Sequence, residues 1–560
     1  MCISDGDYIE ATFEVTPELR KYAVGGATLK VGCRICRPAS QGIFFKRVIL
    51  CLLMLCQLCM TDMMALTVDL LNDPVINDPS NLMWTYAYDK SQPHPGKYTE
   101  FNTSNRWKDA EAELQMGTGG YGYMCYLLAY QWWADSCNPD FGSQLGLKPF
   151  AMSILNFAGK VVRTVAGKRL LAFIPKLKVI KLGLLPFYLH ALTYFFSRLA
   201  YPPLPHSPLT HTQFSKKNAS VGTAAELRRY RQWVVAQFVE MLEKYRDGVV
   251  LTINGLQRWL IPFLASMVTD WPEGQEVGNF KQGACAAQCN CRHCTRPGVQ
   301  FTDTAAPRPD EARTQKTTEL ERAVARGEIP PLIGGARLTT AAARNAHLKK
   351  LSLNPEAPAL SKAQLFAGDH GYVHALPMDT MHTYPGGIGR LLRTTLKVVA
   401  DHTEMDRRWK SIPVARDEEL RGLHYRAFPQ GISTQQSFTC DDESAIMQQM
   451  PYVIGKGTRV VANEEMRAAL VNGAVTAVRM LRINKLMEVH DGDLAELDAE
   501  AVRLGPAMDR VVKKLNAAVA AKNPNAKIKH ADTPKVHSVV HNSECIRRFV
   551  CMFRPSSIGR

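Results

Sequence analysis

The residues best placed to do chemistry lie within 248–302, where an apolar run ends at an acid and a cysteine cluster follows. The run 259–268 ends at Asp270, after which Pro272 turns the chain and Glu273 adds a second acid. A carboxylate at the end of a buried element, beside a candidate metal cluster, is a typical layout of an active site. We interpret Asp270 as one acid of a divalent-metal site that acts on phosphodiesters.

The cysteine cluster after Asp270 is a candidate zinc site. Thiolates and imidazoles are the ligands that zinc prefers, usually four in a tetrahedron. Four such donors within ten residues can close a site, although the connecting loops are tight, and a ligand borrowed from elsewhere in the chain is more natural. The donors in the cluster are Cys285, Cys289, Cys291, His293 and Cys294.

His382 is the borrowed ligand that we predict. It follows Asp379 by one helical turn, so the two side chains can lie on one face of a helix. Together with three thiols it would complete a candidate Zn²⁺ site. The predicted zinc ligands are therefore Cys289, Cys291, Cys294 and His382.

A second apolar run ends at an acid in the same way. The aromatic-rich run 123–133 leads to Asp135, and two further apolar segments follow at 149–157 and 167–175. Three short apolar runs separated by turns predict a small β-sheet. Taken alone, Asp135 is better explained as a turn residue at the end of a strand.

Length and charge narrow the class of protein. A chain of 560 residues is too long for one simple core, so we expect about two to four structural units. Its 68 Lys and Arg residues exceed its 52 Asp and Glu residues, which gives a formal net charge of +16. This balance favours an anionic partner, with nucleic acid first; the alternative is a basic cytosolic protein with a solvated surface.

The distribution of cysteines and the length of the apolar runs indicate the cellular compartment. The 15 cysteines are scattered, and several lie in apolar runs, which fits reduced thiols in the cytosol or nucleus better than a secreted disulfide framework. The acidic first residues do not have the pattern of a signal peptide. The apolar stretches 48–60 and 182–196 are too short to span a bilayer, so we expect buried core and no stable membrane association.

Taken in order, these pieces resemble the DDE transposases of eukaryotic cut-and-paste DNA transposons. The most similar kind is the Plavaka type, which is related to the CACTA and Kyakuja–Dileera–Zisupton groups. The likeness spans roughly 84–550. Four patterns carry it: Asp135 with Asn156-Phe157, the turn Asp270-Trp271-Pro272-Glu273 with Cys291-x-x-Cys294, the D-x-x-H element of Asp379 and His382, and Pro534-Lys535-Val536-His537 with Ile546-Arg547-Arg548-Phe549.

The resemblance implies an α/β fold in which a largely helical insertion splits an RNase H-like catalytic core, with a helical region before it. It also implies DNA strand cleavage and transfer with two divalent ions, Mg²⁺ or Mn²⁺, held by Asp135 and Asp270. The implied partners are transposon ends and target DNA in the nucleus, and assembly into a homo-oligomer is a further expectation.

The same resemblance divides the chain into five parts. Residues 1–115 form a mostly helical N-terminal region, and 116–300 hold the first part of the core with the CxxC cluster. Residues 301–345 are a polar connector, 346–525 a helical insertion and 526–560 a truncated end of the catalytic core.

The third acid departs from the family pattern. In the family a glutamate lies on a helix shortly after the PKxH element, whereas 553–560 contain no acid. Glu544 is the nearest carboxylate but precedes the expected place. Glu443 is the alternative, although capping of a predicted helix at 444–450 is its default role. We therefore expect a transposase-like protein that is inactive in this chain; the alternative is a non-enzymatic DNA-binding or zinc-stabilised interaction protein derived from a transposase.

Overall fold

The computed structural model of the protein is of the mixed α/β type. It describes residues 8–14, 28–34, 62–117, 125–134, 147–175, 224–281, 291–297, 302–305, 311–330, 338–412, 426–523 and 533–550. Several residues discussed above lie outside these ranges, namely Asp135, Cys285, Cys289, 48–60, 182–196 and 553–560.

A five-stranded sheet is the centre of the part of the chain before residue 300. The described residues of the whole chain contain nine strands, of which β4 to β8 form this sheet. They are β1 (Tyr8–Glu14), β2 (Thr28–Arg34), β3 (Lys97–Tyr98), β4 (Cys125–Ala134), β5 (Leu147–Ile154), β6 (Arg169–Pro175), β7 (Val249–Ile253), β8 (Leu256–Thr269) and β9 (Val489–His490). The order of the large sheet is β6-β5-β4-β8-β7. It includes the three strands predicted from the apolar runs.

Strands β4 and β8 run parallel in the middle of this sheet. Their register ends with Ala134 opposite Thr269. Strand β5 is antiparallel to β4 and to β6, and β7 is antiparallel to β8. The apolar composition and burial of β4 and β8 are those of central strands covered on both faces. The carboxyl ends of the two strands therefore meet at one edge, and each strand is followed in the sequence by an aspartate.

Helices cover the sheet and build a second core. They are α1 (Met63–Asn72), α2 (Asn105–Gly117), α3 (Gly159–Val162), α4 (Ala224–Glu243), α5 (Trp271–Val277), α6 (Gln315–Arg326), α7 (Ala341–Lys350), α8 (Thr380–Thr383), α9 (Arg390–Val399), α10 (His402–Ser411), α11 (Cys440–Val453), α12 (Glu464–Asn484), α13 (Asp491–Lys522), α14 (Pro534–Ser538) and α15 (Asn542–Phe549). A π-helical turn, Tyr384–Gly389, joins α8 to α9, and a 3-10 turn, Val539–His541, joins α14 to α15.

The buried apolar side chains form two main clusters. The sheet with α1, α2 and α4 supplies the first, and helices α9 to α13 supply the second. Helix α15 connects the two, because Ile546 belongs to the helical cluster and Phe549 to the sheet cluster. Strand β9 pairs with β3, which attaches the region before the sheet to the helical core. Within the described part of 346–525, β9 is the only strand.

A buried arginine fixes a later segment of the chain against β8. The amide of Leu264 in β8 donates to the carbonyl of Gln364 at 2.9 Å. The Arg106 guanidinium, on α2, donates to the carbonyl of Phe366 at 2.9 Å and to that of Leu264 at 3.3 Å. Buried carbonyls need such partners, so Arg106 stabilises the joint between α2, β8 and the segment that leads to the D-x-x-H element.

The remaining features are the secondary structure of the N-terminal region and the apolar character of the helices. The N-terminal region was expected to be mostly helical, and its described part contains an antiparallel hairpin of β1 and β2 in addition to α1 and α2. Among the residues that the structure describes, no helix has both the length and the apolar character needed to cross a membrane.

Candidate functional site

Two cysteines and two histidines form a buried group with the composition of a zinc site. One donor atom from each of Cys291, Cys294, His537 and His541 lies within 4.8 Å of all the others. Cys291 Sγ is 3.2 Å from His541 Nε2, and Cys294 Sγ is 3.1 Å from His537 Nε2. Zinc bonds of about 2.3 Å to sulfur and 2.0 Å to nitrogen place neighbouring ligands of a tetrahedron about 3.5 Å apart. The four donors thus have nearly the spacing that one Zn²⁺ requires.

A buried arginine shapes the turn that carries the two cysteines. Arg313 Nε donates to the carbonyls of Cys291 and Cys294, at 2.9 and 2.8 Å, and a terminal nitrogen donates to Leu351 O at 2.7 Å. The backbone amide of His293 donates to Cys291 Sγ at 3.3 Å. These bonds fix the main chain of the CxxC turn and with it the positions of both thiols.

Helix α14 and the turn after it present the two histidines. The helix begins after Thr533, whose side chain accepts from the amide of Val536, and Pro534 occupies its first position, where no amide is needed. His537 and His541 are four residues apart, a spacing that places side chains on one face of a continuous helical segment. Their ring centroids are 5.3 Å apart, and the rings are inclined at 80°.

The surroundings favour the protonation states that bind zinc. Burial alone would raise the pKa of Cys291, but hydrogen bonds from Cys294 and from two backbone amides, with the charge of Arg313, hold that pKa below its usual value. The hydrogen bond to Cys291 and burial raise the pKa of Cys294, the pattern of one proton shared by two thiols. Burial lowers the pKa of His537, which keeps its imidazole neutral. A metal site needs thiolate and neutral imidazole, so the lowered pKa values of Cys291 and His537 favour metal binding, whereas Cys294 must give up its proton to the solvent when the metal binds.

The structure gives the cysteines different partners from those that we predicted. It places His537 and His541, not His382, beside the CxxC turn. His382 Nδ1 instead lies 2.5 Å from Asp379 Oδ2, and its backbone amide donates to Oδ1 of the same carboxylate at 3.1 Å. The three-residue spacing serves a helix cap, because Asp379 is the N-cap of α8. Cys289 lies outside the described residues.

The two histidines could have been found from their spacing. HxxxH within a helical segment presents two imidazoles to one side, which is a known signature of metal-binding helices. In the sequence this segment is interpreted as the PKxH element of the resemblance, and neither His537 nor His541 is among the predicted zinc ligands. The contacts with the cysteines span 243 and 250 residues along the chain, so local patterns do not indicate which elements meet.

Asp270 lies at the end of a buried strand, as the sequence predicts. It follows β8 directly and caps α5, where its Oδ1 accepts from the amide of Glu273 at 2.7 Å. Its side chain is half-buried at the sheet edge. The parallel pair ends with Ala134 opposite Thr269, immediately before Asp135 and Asp270 in the sequence. Asp135 itself lies outside the described residues, so its side chain has no structural account.

The D-x-x-H and PKxH elements both approach Asp270. The charge of Asp270 acts on His382 and on Lys535, and it acts together with the charge of Asp379 on Arg292. Burial lowers the pKa of Arg292, and the two carboxylates oppose that shift. Arg292, His382 and Lys535 therefore all lie within electrostatic range of Asp270 and Asp379. Asp270, His382 and Lys535, which come from three of the four sequence patterns named above, thus lie within electrostatic range of one another.

Glu443 has a structural partner. Arg393 Nε donates to both carboxylate oxygens at 3.0 and 2.8 Å, and a terminal nitrogen donates to Oε1 at 2.7 Å. The guanidinium also lies 4.1 Å from the ring centroid of Phe438. Glu443 is in the first turn of α11, after the capping residue Thr439, where the helix dipole favours an acid. Its carboxylate is therefore engaged in a buried ion pair.

Glu544 also has other partners than Asp270. It lies exposed in the first turn of α15 and pairs with Arg548 one turn later. The charges that act on it include those of Arg547 and Asp109. Within the described residues, no hydrogen bond or ion pair links Glu544 or Glu443 to Asp270.

Comparisons with known proteins do not extend this account. A scan against models of protein families and a search of curated proteins gave no match. The interpretation of the site therefore depends on its own residues and their geometry.

We predict that the purified protein holds one zinc ion per chain in the Cys₂His₂ group. Cys294→Ser and His541→Asn should each lose the zinc. The midpoint of thermal unfolding should fall in both, because the buried donors lose the ion that joins them and compensates the thiolate charge. Zinc content is measured by inductively coupled plasma mass spectrometry, and unfolding by circular dichroism.

Cys440→Ser is the matched control for the zinc experiment. Cys440 is half-buried, burial raises its pKa to about 11, and it is not part of the four-residue group. This variant should keep its zinc and its midpoint. Chelation should lower the midpoint of the parent and of the control but have no further effect on Cys294→Ser. Equal zinc content in Cys294→Ser and the parent would contradict the assignment.

A second prediction concerns the buried ion pair. Arg393→Met should lower the free energy of unfolding by about 3–5 kcal/mol, because it leaves the Glu443 carboxylate buried and unpaired. The double variant Arg393→Met, Glu443→Met should recover most of that loss, since no charge is then left without a partner. Urea unfolding measures both. An Arg393→Met protein as stable as the parent would show that the ion pair does not hold Glu443.

Proposed function

We propose that the chain is a transposase-like DNA-binding protein whose ancestral activity is the metal-dependent cleavage and transfer of DNA strands. The observation that carries the proposal is the common end of β4 and β8. Ala134 lies opposite Thr269 in parallel register, and the next residues in the sequence are Asp135 and Asp270. Carboxylates from adjacent strands are the arrangement that holds two divalent ions for phosphodiester chemistry.

The order of elements supports an RNase H-like core as part of this proposal. Strands β4, β5 and β6 form an antiparallel meander, helix α4 follows, and β8 then lies parallel to β4. Helices α5 to α13 come next in the chain, and α14 returns to the CxxC turn that follows the sheet. The resemblance implies such an order, in which helices interrupt the RNase H-like core and the segment with α14 completes it.

DNA is the partner that the charge favours. The formal net charge is +16, and the partly exposed side chains of His382 and Lys535 lie within electrostatic range of Asp270. Basic groups of this kind attract the phosphate backbone. In the proposal the bound DNA consists of transposon ends and target DNA, Mg²⁺ or Mn²⁺ binds at Asp135 and Asp270, and the compartment is the nucleus.

In this proposal the chain does not itself catalyse DNA strand transfer. The two candidates for the third acid have other partners, since Glu443 pairs with Arg393 and Glu544 with Arg548. A two-metal mechanism needs ligands that position both ions about the phosphate. The function that remains is binding of DNA and of a divalent ion at the two aspartates.

A zinc-stabilised interaction protein without nuclease chemistry is the second candidate. The observation that favours it is the Cys₂His₂ group, which brings four buried donors within 4.8 Å of one another. Such a site stabilises a fold and has no requirement for DNA. Binding of DNA therefore distinguishes the two candidates.

Asp270→Asn tests the metal role of the acid. The variant should bind DNA as tightly as the parent, or more tightly, because a negative charge leaves the phosphate-binding surface. It should lose the binding of Mn²⁺, which electron paramagnetic resonance measures as the ion remaining free in solution. Any Mg²⁺-dependent nicking of supercoiled plasmid should disappear with it.

Asp369→Asn is the control for this test. Asp369 is exposed and pairs with Lys316 on the surface, so its replacement should change neither Mn²⁺ nor DNA binding. Parental Mn²⁺ binding by Asp270→Asn would refute the metal role. A parent that does not bind DNA at low salt would favour the second candidate, and robust nicking by the parent would overturn the proposed inactivity.

A further inference from the structure

A lysine and a histidine outside the zinc group converge on a pair of glycines. Gly386 and Gly387 lie in the π-helical turn between α8 and α9. Lys535 Nζ donates to Gly386 O at 3.3 Å, and a Cβ atom on Gly387 would lie 2.6 Å from Lys535 Cδ. A Cβ atom on Gly386 would lie 3.5 Å from His382 Cδ2. The absence of side chains at this turn therefore lets the lysine stem pack closely and brings both basic groups to the same glycines.

His382 is oriented but has one nitrogen available. Asp379 Oδ2 accepts from Nδ1 at 2.5 Å, and Oδ1 accepts from the backbone amide of the same histidine. Within the described residues, Nε2 has no hydrogen-bond partner, and one third of the side chain is exposed. The carboxylate fixes the ring and also raises the pKa of His382, whose Nε2 is a hydrogen-bond donor when the ring is protonated.

Lys535 is half-buried with most of its donors unused. An ammonium group has three N–H donors, and the single bond to Gly386 O is its only hydrogen bond within the described residues. No carboxylate there lies within ion-pair distance, although the charges of Asp379 and Asp270 act on it. A partly buried ammonium is costly without partners, so this arrangement fits a ligand that supplies oxygen atoms.

An anion fits this pair of groups, because the ammonium of Lys535 offers N–H donors and no lone pair with which to bind a metal ion. Asp270 lies within electrostatic reach of both groups and is the proposed metal ligand. A phosphodiester can contact both the basic pair and a cation at Asp270, since its oxygens can bind a cation on one side and N–H donors on the other.

We propose that Lys535 and His382 together bind one backbone phosphate of DNA next to Asp270. This inference deepens the proposed function, on which it rests for the identity of the ligand. Lys535 supplies a compact positive charge, and His382 supplies a directed donor from Nε2. Asp379 acts as a positioning residue through its bond to Nδ1. Gly387 provides the room that the lysine stem needs.

The test uses the full chain and a short fluorescein-labelled DNA duplex, with fluorescence anisotropy at several NaCl concentrations. Lys535→Gln should raise the dissociation constant about tenfold at low salt. It should also reduce the slope of log affinity against log salt by about one, the value for one phosphate contact. Lys535→Arg should restore most of the affinity, because it restores the charge. His382→Gln should also weaken binding. Lys513→Gln, at an exposed lysine paired with Asp509, is the matched control and should bind like the parent.

Two outcomes overturn the inference. The first is parental affinity and parental salt dependence in Lys535→Gln. The second is loss of zinc or of thermal stability in that variant together with the lost affinity, because Lys535 would then act only by anchoring α14 near His537. Zinc content and the unfolding midpoint are therefore measured on the same samples, and both should equal those of the parent.

The Asp270→Asn variant separates this inference from the proposed function. If Asp270→Asn keeps its Mn²⁺ binding while Lys535→Gln loses DNA affinity, the metal role fails and the phosphate site stands. If Asp270→Asn loses Mn²⁺ while Lys535→Gln binds DNA like the parent, the metal role stands and the phosphate site fails.

Discussion

The contact between the CxxC turn and the two histidines is the constraint on which the rest of the site depends. Cys291 and Cys294 follow the sheet, whereas His537 and His541 come after the long helical part of the chain, and the contacts span 243 and 250 residues. The two cysteines of the group, buried this closely, are unstable as thiolates without a cation, because each buried charge needs a partner. A zinc ion would meet that need and would close a loop that contains most of the helices. The four residues thus connect the sheet to the segment that follows the helical part of the chain.

The position of α14 has consequences beyond the metal. It places Lys535 on the glycines of the π-helical turn and so brings it near Asp270. The next helix continues the contact, since Asn542 Nδ2 donates to the Tyr384 hydroxyl at 3.0 Å. Helix α15 then reaches both apolar clusters. If the contact between α14 and the CxxC turn opened, Lys535 would leave the sheet edge, and its part of the proposed phosphate site would be lost.

Some of this arrangement could be predicted from the sequence, and the reasons differ between residues. Asp270 was predicted correctly to end a buried strand, because an apolar run followed by an acid and a proline is a local signal. Cys291 and Cys294 were also identified, since CxxC spacing is local. His382 was assigned to zinc on helical spacing, but the same spacing serves the cap formed by Asp379. The histidine partners and the ion pair between Arg393 and Glu443 depend on contacts between distant segments, which periodicity does not reveal.

The central claim is that one ion joins these four residues, and X-ray absorption at the zinc edge of the purified protein tests it most directly. The account predicts two sulfur ligands at about 2.3 Å and two nitrogen ligands at about 2.0 Å. Absence of zinc from the folded protein would contradict it. So would a shell of three or four sulfur atoms, because Cys291 and Cys294 would then bind with other cysteines and not with His537 and His541.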